Sequence, residues 1–249
     1  MTDNDPDPVT VKSVEDVVEN VRTLEETQDD TFIFRGQRRD WKLEPTIFRR
    51  FRSVSNPDNP IAFETYERRI FNEFKRLSAS FPPIPKNLRE HLALAAHHGL
   101  PTRYLDWSEN ALVALYFAVE QDPLSESEKN LDSFVYCFCE YVPSNRHIEI
   151  DDDFMPENPF GIDRIYIYRP PHFSPRIAVQ SSIFTVHAAD CHGEKNSLQG
   201  DRFRRIQMKM RIPSEDRAKI RGHLRRLGFH RASLFPDLDG VAKHIEKTM

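Results

Sequence analysis

The segment NALVALYFAVE, residues 110–120, constrains the fold more than any other stretch of this chain. A helix there is apolar on nearly every side, so it must be surrounded by protein or lipid. It is far shorter than the roughly 20 residues that cross a bilayer, so it predicts a deeply buried core helix. Directly before it runs HHGLPTRYLDWS, residues 97–108, which sets two histidines, an arginine, an aspartate, a tryptophan and a serine beside that apolar helix. Polar side chains in such a place must be hydrogen-bonded or must face a cleft. Helix capping by Asp106 or Ser108, a loop tied down by Thr102 and Arg103, and a core Trp107 are the plain assignments. Ser108 is the expected N-cap. Caps account for one or two of these residues, not for the group.

At 249 residues the chain can form one large domain or two small ones. No boundary is visible, so residues 1–10 are read as a disordered tail and 11–249 as a single domain. The start, MTDNDPDPVT, is acidic without an apolar core, unlike a signal peptide. No membrane span is expected. Cys137, Cys139 and Cys191 are too few, and wrongly spaced, for a disulfide framework or a zinc site. Cys137 and Cys139 alternate within a strand-like run and read as small buried hydrophobes. A reducing cytoplasm is the expectation. The net charge of −4 is unevenly placed. Residues 34–52 hold seven basic residues against Asp40 and Glu44, and 201–231 hold eleven against Asp201, Glu215 and Asp216. Such segments suit either solvated helix faces or a DNA or RNA partner.

Periodicity predicts a helix from Ser13 to about Glu26, a short strand at 31–35, a loop at 56–60 and helices at 62–80 and 87–97. LPTRYLDW is extended and leads into the apolar helix. Strands follow at 133–141, 163–168, 176–187 and 203–212, then a basic helix from Ser214 to Leu227 and a closing helix over Gly240–Lys247. This order suits an α+β domain.

Other segments carry candidate chemistry. His97 and His98 are adjacent, so on a helix they point about 100° apart and cannot form a same-face metal pair. Partners such as Asp106, His172 or His187 would have to come from elsewhere, and no metal is expected; CHGE, 191–194, is no stronger a sign. In the strand reading of RIAVQSSIFTVH, 176–187, Gln180 shares a face with Ala178, Ser182, Phe184 and Val186 and needs a partner for its amide. In SLFPDLDG, 233–240, Asp237 or Asp239 can cap the closing helix, or hold a ribose hydroxyl or an arginine.

Taken together, FRGQ (34–37), the W-K-L-x-P-x-I-F-R pattern (41–49), HHGLPTR-x-LDWS (97–108), ALYFA (114–118), R-x-x-x-Q-x-x-x-F (176–184) and LFPDLDG (234–240) resemble the FRG domain family. Two positions depart from the family pattern: Ala96 stands where glutamine is usual, and Ser182 where glycine is usual. The second departure bears on close approach of backbone to a ligand.

The pattern is more distantly similar to the ADP-ribosyltransferase superfamily. That likeness implies a split β-sheet core with an N-terminal helical part, and NAD as substrate. Arg35 would then bind the pyrophosphate or the nicotinamide ribose, and Gly36 would let backbone meet the nicotinamide amide. Trp107 and Ser108 would line the nicotinamide pocket, with Gln37 and Arg103 in the same binding set. Cleavage of the nicotinamide–ribose bond passes through an oxocarbenium-like state, which calls for an anion anchor and a carboxylate by the ribose. The late strand supplies Gln180 instead of glutamate, so the carboxylate would come from Asp106, Asp237 or Asp239, with His98 as a general base. The implied function is an ADP-ribosyltransferase acting on a nucleic-acid base or a protein, as a toxin or phage-defence effector with a possible antitoxin or defence partner. A noncatalytic nucleotide- or nucleic-acid-binding module and a metal-dependent nuclease are the alternatives.

Overall fold

The computed structural model describes residues 6–27, 31–54, 62–120, 130–139, 155–189, 198 and 206–246. Seven strands form one mixed sheet: β1 (Val9–Thr10), β2 (Phe32–Gln37), β3 (Tyr104–Ser108), β4 (Ser133–Cys139), β5 (Tyr166–Tyr168), β6 (Ser182–Val186) and β7 (Ile206–Ile212), in the order β1-β7-β4-β2-β3-β6-β5. β1 runs parallel to β7 and every other pair is antiparallel. The helices are α1 (Val14–Thr27), α2 (Thr46–Val54), α3 (Phe63–Ser78), α4 (Leu88–His97), α5 (Ala111–Val119), α6 (Pro175–Val179), α7 (Arg217–Arg226), α8 (Arg231–Leu234) and α9 (Leu238–Glu246). The α+β expectation holds. Among the described residues no helix is long and apolar enough to cross a membrane.

α5 is the central helix. Leu115, Ala118 and Val119 are fully buried, against Phe34 of β2, Val135 and Cys137 of β4 and flanking residues of α1 and α7. Cys137 and Cys139 are both buried on this face, as their alternation implies. The opposite face of the sheet carries a second core of Ile33, Leu105, Trp107, Tyr136, Phe138 and Ile183. A third core joins α3 and α4 to β3, β5 and β6 through Phe71, Leu92, Tyr104, Tyr168 and Phe184.

The joint between β2 and β3 places the site. β2 pairs with β4 from Phe32↔Cys139 to Gln37↔Phe134, and β3 pairs with β6 from Tyr104↔Val186 to Ser108↔Ser182. Between β2 and β3 themselves only Phe34↔Ser108 is in register. The sheet is continuous in order but opens at its middle. Phe34 and Ser108 oppose each other and so face the same side. Phe34 packs under α5, and Tyr104, two pleats from Ser108, packs under α4. Both helices therefore cover one face, on either side of the opening.

Several expectations need correction. Val9 and Thr10 are not tail but strand β1. Residues 176–187 are not one strand: Pro175 opens α6 at a position where its missing N–H is no loss, and Ser181 then turns the chain at φ 45° before β6 begins. The alternation read across that segment therefore does not exist. Asn110, not Ser108, caps α5, its side-chain oxygen accepting from Leu112 N at 2.9 Å. The strand expected at 163–168 is confined to Tyr166–Tyr168. Helices α2 and α8 were not foreseen. The former buries Ile47, Phe48 and Phe51 behind a face of arginines that reads as a charge cluster. The loop at 56–60, Cys191 and CHGE lie outside the described residues.

Gly36 serves this packing. A Cβ there would stand 1.8 Å from Ala114 O and 2.7 Å from Ala118 N, both backbone atoms of α5 that cannot step aside. Gly36→Ala is expected to lose about 3 kcal/mol or more, which lowers Tm by roughly 6–12 °C in a chain of this length. A thermal melt that leaves Gly36→Ala as stable as the parent would contradict the packing role.

Candidate functional site

Over the open joint lies a cleft of about 290 Å3. β2 contributes Arg35 and Gln37, β3 contributes Asp106 and Ser108, α4 contributes Ala96 and His97, and α5 contributes Ala114 and Phe117 together with the following Glu120. Arg176 and Gln180 close it from α6 and the turn after it, and Arg38 and Trp41 stand at the β2 side.

Arg35 spans the opening. Its Nη1 donates to Asp106 O at 2.7 Å, where ladder bonds are missing, and lies 4.0 Å from Asp106 Oδ2. Its Nε donates to Gln37 Oε1 at 3.4 Å, while Gln37 Nε2 donates to Trp41 O at 2.8 Å. Gln37 is thus a buried amide that fixes the guanidinium from behind. Asp106 is half open to water but sits low in a concave wall. The surrounding protein pushes its carboxyl up, and Arg35 and Arg176 pull it partly back.

The opposing wall is cationic as well. Arg176 stands over the Phe235 ring with Cζ 4.4 Å from the centroid, and Arg231 lies 4.5 Å from the same ring. Arg231 is ion-paired with Glu120, so that carboxylate is already neutralised. Arg176 Nε and His97 Nε2 are buried nitrogens without a hydrogen-bond partner among the described residues. Burial, with Arg176 and His98 nearby, lowers the His97 pKa to about 3, so its ring is neutral at physiological pH. Arg35, Arg38 and Arg176 thus outweigh Asp106 and the paired Glu120. A cleft of this balance suits an anion.

The sequence-derived residues divide. Arg35, Gln37, Asp106, Ser108 and Gln180 meet at the cleft. Trp107 contributes to its wall, but its indole is buried in the opposite core and donates to Thr185 Oγ1 at 3.0 Å. Gly36 also borders it, yet its missing side chain is explained by α5. Ser108 Oγ donates to Gln180 O at 2.7 Å and accepts from Asn110 N at 3.0 Å, so it ties β3 to the turn before β6. Gln180 Nε2 donates to Leu234 O at 2.7 Å, a buried amide satisfied by neighbouring backbone.

Three residues belong elsewhere. His98 is exposed beyond the end of α4, and its neighbour His97 faces the cleft instead. Asp237 is an exposed cap, its Oδ1 accepting from Gly240 N at 2.6 Å, as the capping assignment had it. Arg103 is fully buried outside the cleft, its guanidinium ion-paired with Glu67 and donating to Pro159 O at 3.0 Å; it is a structural residue.

Arg176, His97 and Glu120 are cleft residues to which the sequence reading gave no role at the site. Glu120 had a signal: an acid ending an apolar helix is placed against the helix dipole and needs a cation. The basic segments are partly committed to the fold. Arg52 pairs with Glu44 at 2.6 Å, Lys209 with Asp40 at 2.7 Å and Arg211 with Asp132 at 2.8 Å. Arg38 and Arg39 flank Trp41, each 5.8 Å from its ring, and Trp41 is 43% exposed.

The depressed pKa of His97 makes a pH prediction. The folded state resists protonation that the unfolded chain accepts near pH 6.5, so this residue withdraws stability as pH falls from 6.5 toward 3. The slope reaches at most about 1.4 kcal/mol per pH unit. Denaturant melts between pH 7 and 4.5 are expected to show a shallower decline for His97→Gln than for the parent; identical slopes would contradict this account.

No curated protein and no solved structure matches the chain. The family model that does match is the FRG domain, over residues 30–127. That span holds Arg35, Gln37, His97, Asp106 and Glu120, while Arg176 and Gln180 reach the same cleft from beyond it. Both departures from the family pattern, Ala96 and Ser182, line the cleft.

Proposed function

We propose that the cleft over the β2–β3 joint binds NAD and that the protein transfers the ADP-ribose unit to a nucleic-acid base. The observation that carries this reading is the convergence of Arg35 and Arg176 on one cleft with the Asp106 carboxylate between β2 and β3. Two guanidiniums suit the two charges of a pyrophosphate. The single in-register pair between β2 and β3, with Arg35 reaching across it, is compatible with this reading. The exposed Trp41 between Arg38 and Arg39 offers a stacking face to a nucleobase at the edge of the cleft.

In this reading the bond from ribose C1′ to the nicotinamide nitrogen breaks, and its electron pair leaves with neutral nicotinamide. A ring nitrogen or exocyclic amine of the acceptor forms the new bond at C1′ and gives up its proton. Asp106 serves best by accepting from ribose hydroxyls and stabilising the developing oxocarbenium charge. Its raised pKa also suits it to receive the acceptor's proton. His97, neutral and carrying an unpaired nitrogen, is a hydrogen-bonding partner for the amide of nicotinamide.

A noncatalytic nucleotide-binding module is the second reading. Gln180 favours it: where a catalytic glutamate is sought, this chain has an amide already tied to Leu234 O. Among the described residues no three His, Cys, Asp or Glu gather in a metal-binding group, which leaves the nuclease reading without a site there.

Incubation with NAD labelled in the adenylate moiety, in the presence of single-stranded DNA, RNA or protein, separates these readings. Transfer to nucleic acid is expected, with Arg35→Ala and Asp106→Asn each losing at least about 100-fold while remaining folded. NAD binding without label transfer or nicotinamide release would support the second reading and end the first.

A further inference from the structure

A second cavity, of about 210 Å3, opens behind the Glu120–Arg231 pair. One face of α7 forms its wall: Ala218, Arg221, Gly222 and Arg225 recur at the spacing of a single helix face, while Ile220 and Leu224 turn into the core. Facing them are Phe229, His230 and His244. The rings of His230 and His244 stack at 4.4 Å with an interplanar angle of 26°.

Two features of this cavity point to a ligand. The first is charge. Arg221, Arg225 and the histidine pair border the cavity together, and Glu120, the lining carboxylate among the described residues, is paired with Arg231. His230 is held below its usual pKa first by burial, with His244 and Arg225 adding to it. The second is Gly222. It sits inside a helix, where glycine is destabilising relative to alanine. Its φ is ordinary, and a Cβ on it would meet nothing within 4 Å. Neither close packing nor backbone conformation asks for glycine there. What its missing side chain does is keep the cavity wall open beside two guanidiniums.

We propose that this cavity binds a phosphate-bearing group, held by Arg221 and Arg225 over the open backbone at Gly222 and by the His230–His244 pair. His230 is prepared for this. Its Nδ1 accepts from Ser233 N at 3.2 Å, so the neutral ring carries its proton on Nε2 as a donor. Arg221 is positioned by donating to Val119 O at 3.2 Å. The site is separate from the NAD reading and stands without it.

The test follows the imidazole signals of the full chain by NMR during titration with inorganic phosphate, a nucleoside monophosphate and a short single-stranded oligonucleotide. At least one is expected to bind and to raise the His230 pKa. Tightest binding by phosphate, monophosphate or oligonucleotide identifies a free anion, a nucleotide or a nucleic-acid backbone as the source. Gly222→Leu, which fills the opening, and Arg225→Gln are each expected to weaken binding at least tenfold. Gly222→Ala should melt no lower than the parent and confirms that the position tolerates a side chain. Arg35→Ala should leave the response unchanged. Absence of any shift at His230 and His244, binding indifferent to Gly222→Leu and Arg225→Gln, or a response lost with Arg35→Ala would overturn the proposal.

Discussion

The structure turns on one incomplete seam. A sheet with a full ladder between β2 and β3 would satisfy its backbone and leave no space. Here a single in-register pair, Phe34↔Ser108, holds the halves together, and a guanidinium replaces the missing backbone bonds by donating to Asp106 O. A side chain in that position is both a structural tie and a partly buried positive charge at the bottom of a cleft. Arg35 therefore need not be moved into place by a ligand. Gln37, itself anchored to Trp41 O, restricts the guanidinium beforehand. Preorganisation of this sort is what makes a charged group effective against a charged ligand.

The surroundings keep the seam open at a fixed width. α5 lies directly on β2 because Gly36 lets the backbones touch, and α4 lies on β3 through Leu92 and Tyr104. Behind α4, the buried Arg103–Glu67 pair joins the start of β3 to α3; removing one partner of such a pair costs about 3–5 kcal/mol, because the other is left charged and buried. Ser108 and Gln180 then fasten β3 to the turn before β6 and to Leu234. Polar residues that look catalytic in the sequence thus work mainly as fasteners, while the charges left facing the cleft are few: Arg35, Arg38, Arg176 and Asp106.

The sequence made the general form legible where one physical signal was strong. NALVALYFAVE, apolar all round, marked the core helix, and the shared appearance of FRGQ and LPTRYLDWS marked two segments that do meet. It failed where two signals overlap. Residues 176–179 carry apolar residues compatible with either a strand or a helical turn, and only Pro175 and the left-handed Ser181 decide between them. That misreading concealed Arg176. The choice between His97 and His98 depends on helix phase, and α4 has too many apolar residues for the phase to be read from its pattern. Arg103 illustrates a third limit: its partner Glu67 is 36 residues away, so the chain itself does not distinguish an internal ion pair from a ligand anchor.

The central claim, that Arg35 and Arg176 hold one dianionic ligand across the open seam, is tested most directly by calorimetric NAD binding to the parent, Arg35→Gln, Arg176→Gln and the double variant. Each single variant is expected to bind at least tenfold more weakly, and the double variant to be weakened less than the product of the two, since neither arginine grips well alone. Parent affinity retained by both single variants, or no measurable binding of NAD to the parent chain, would contradict it.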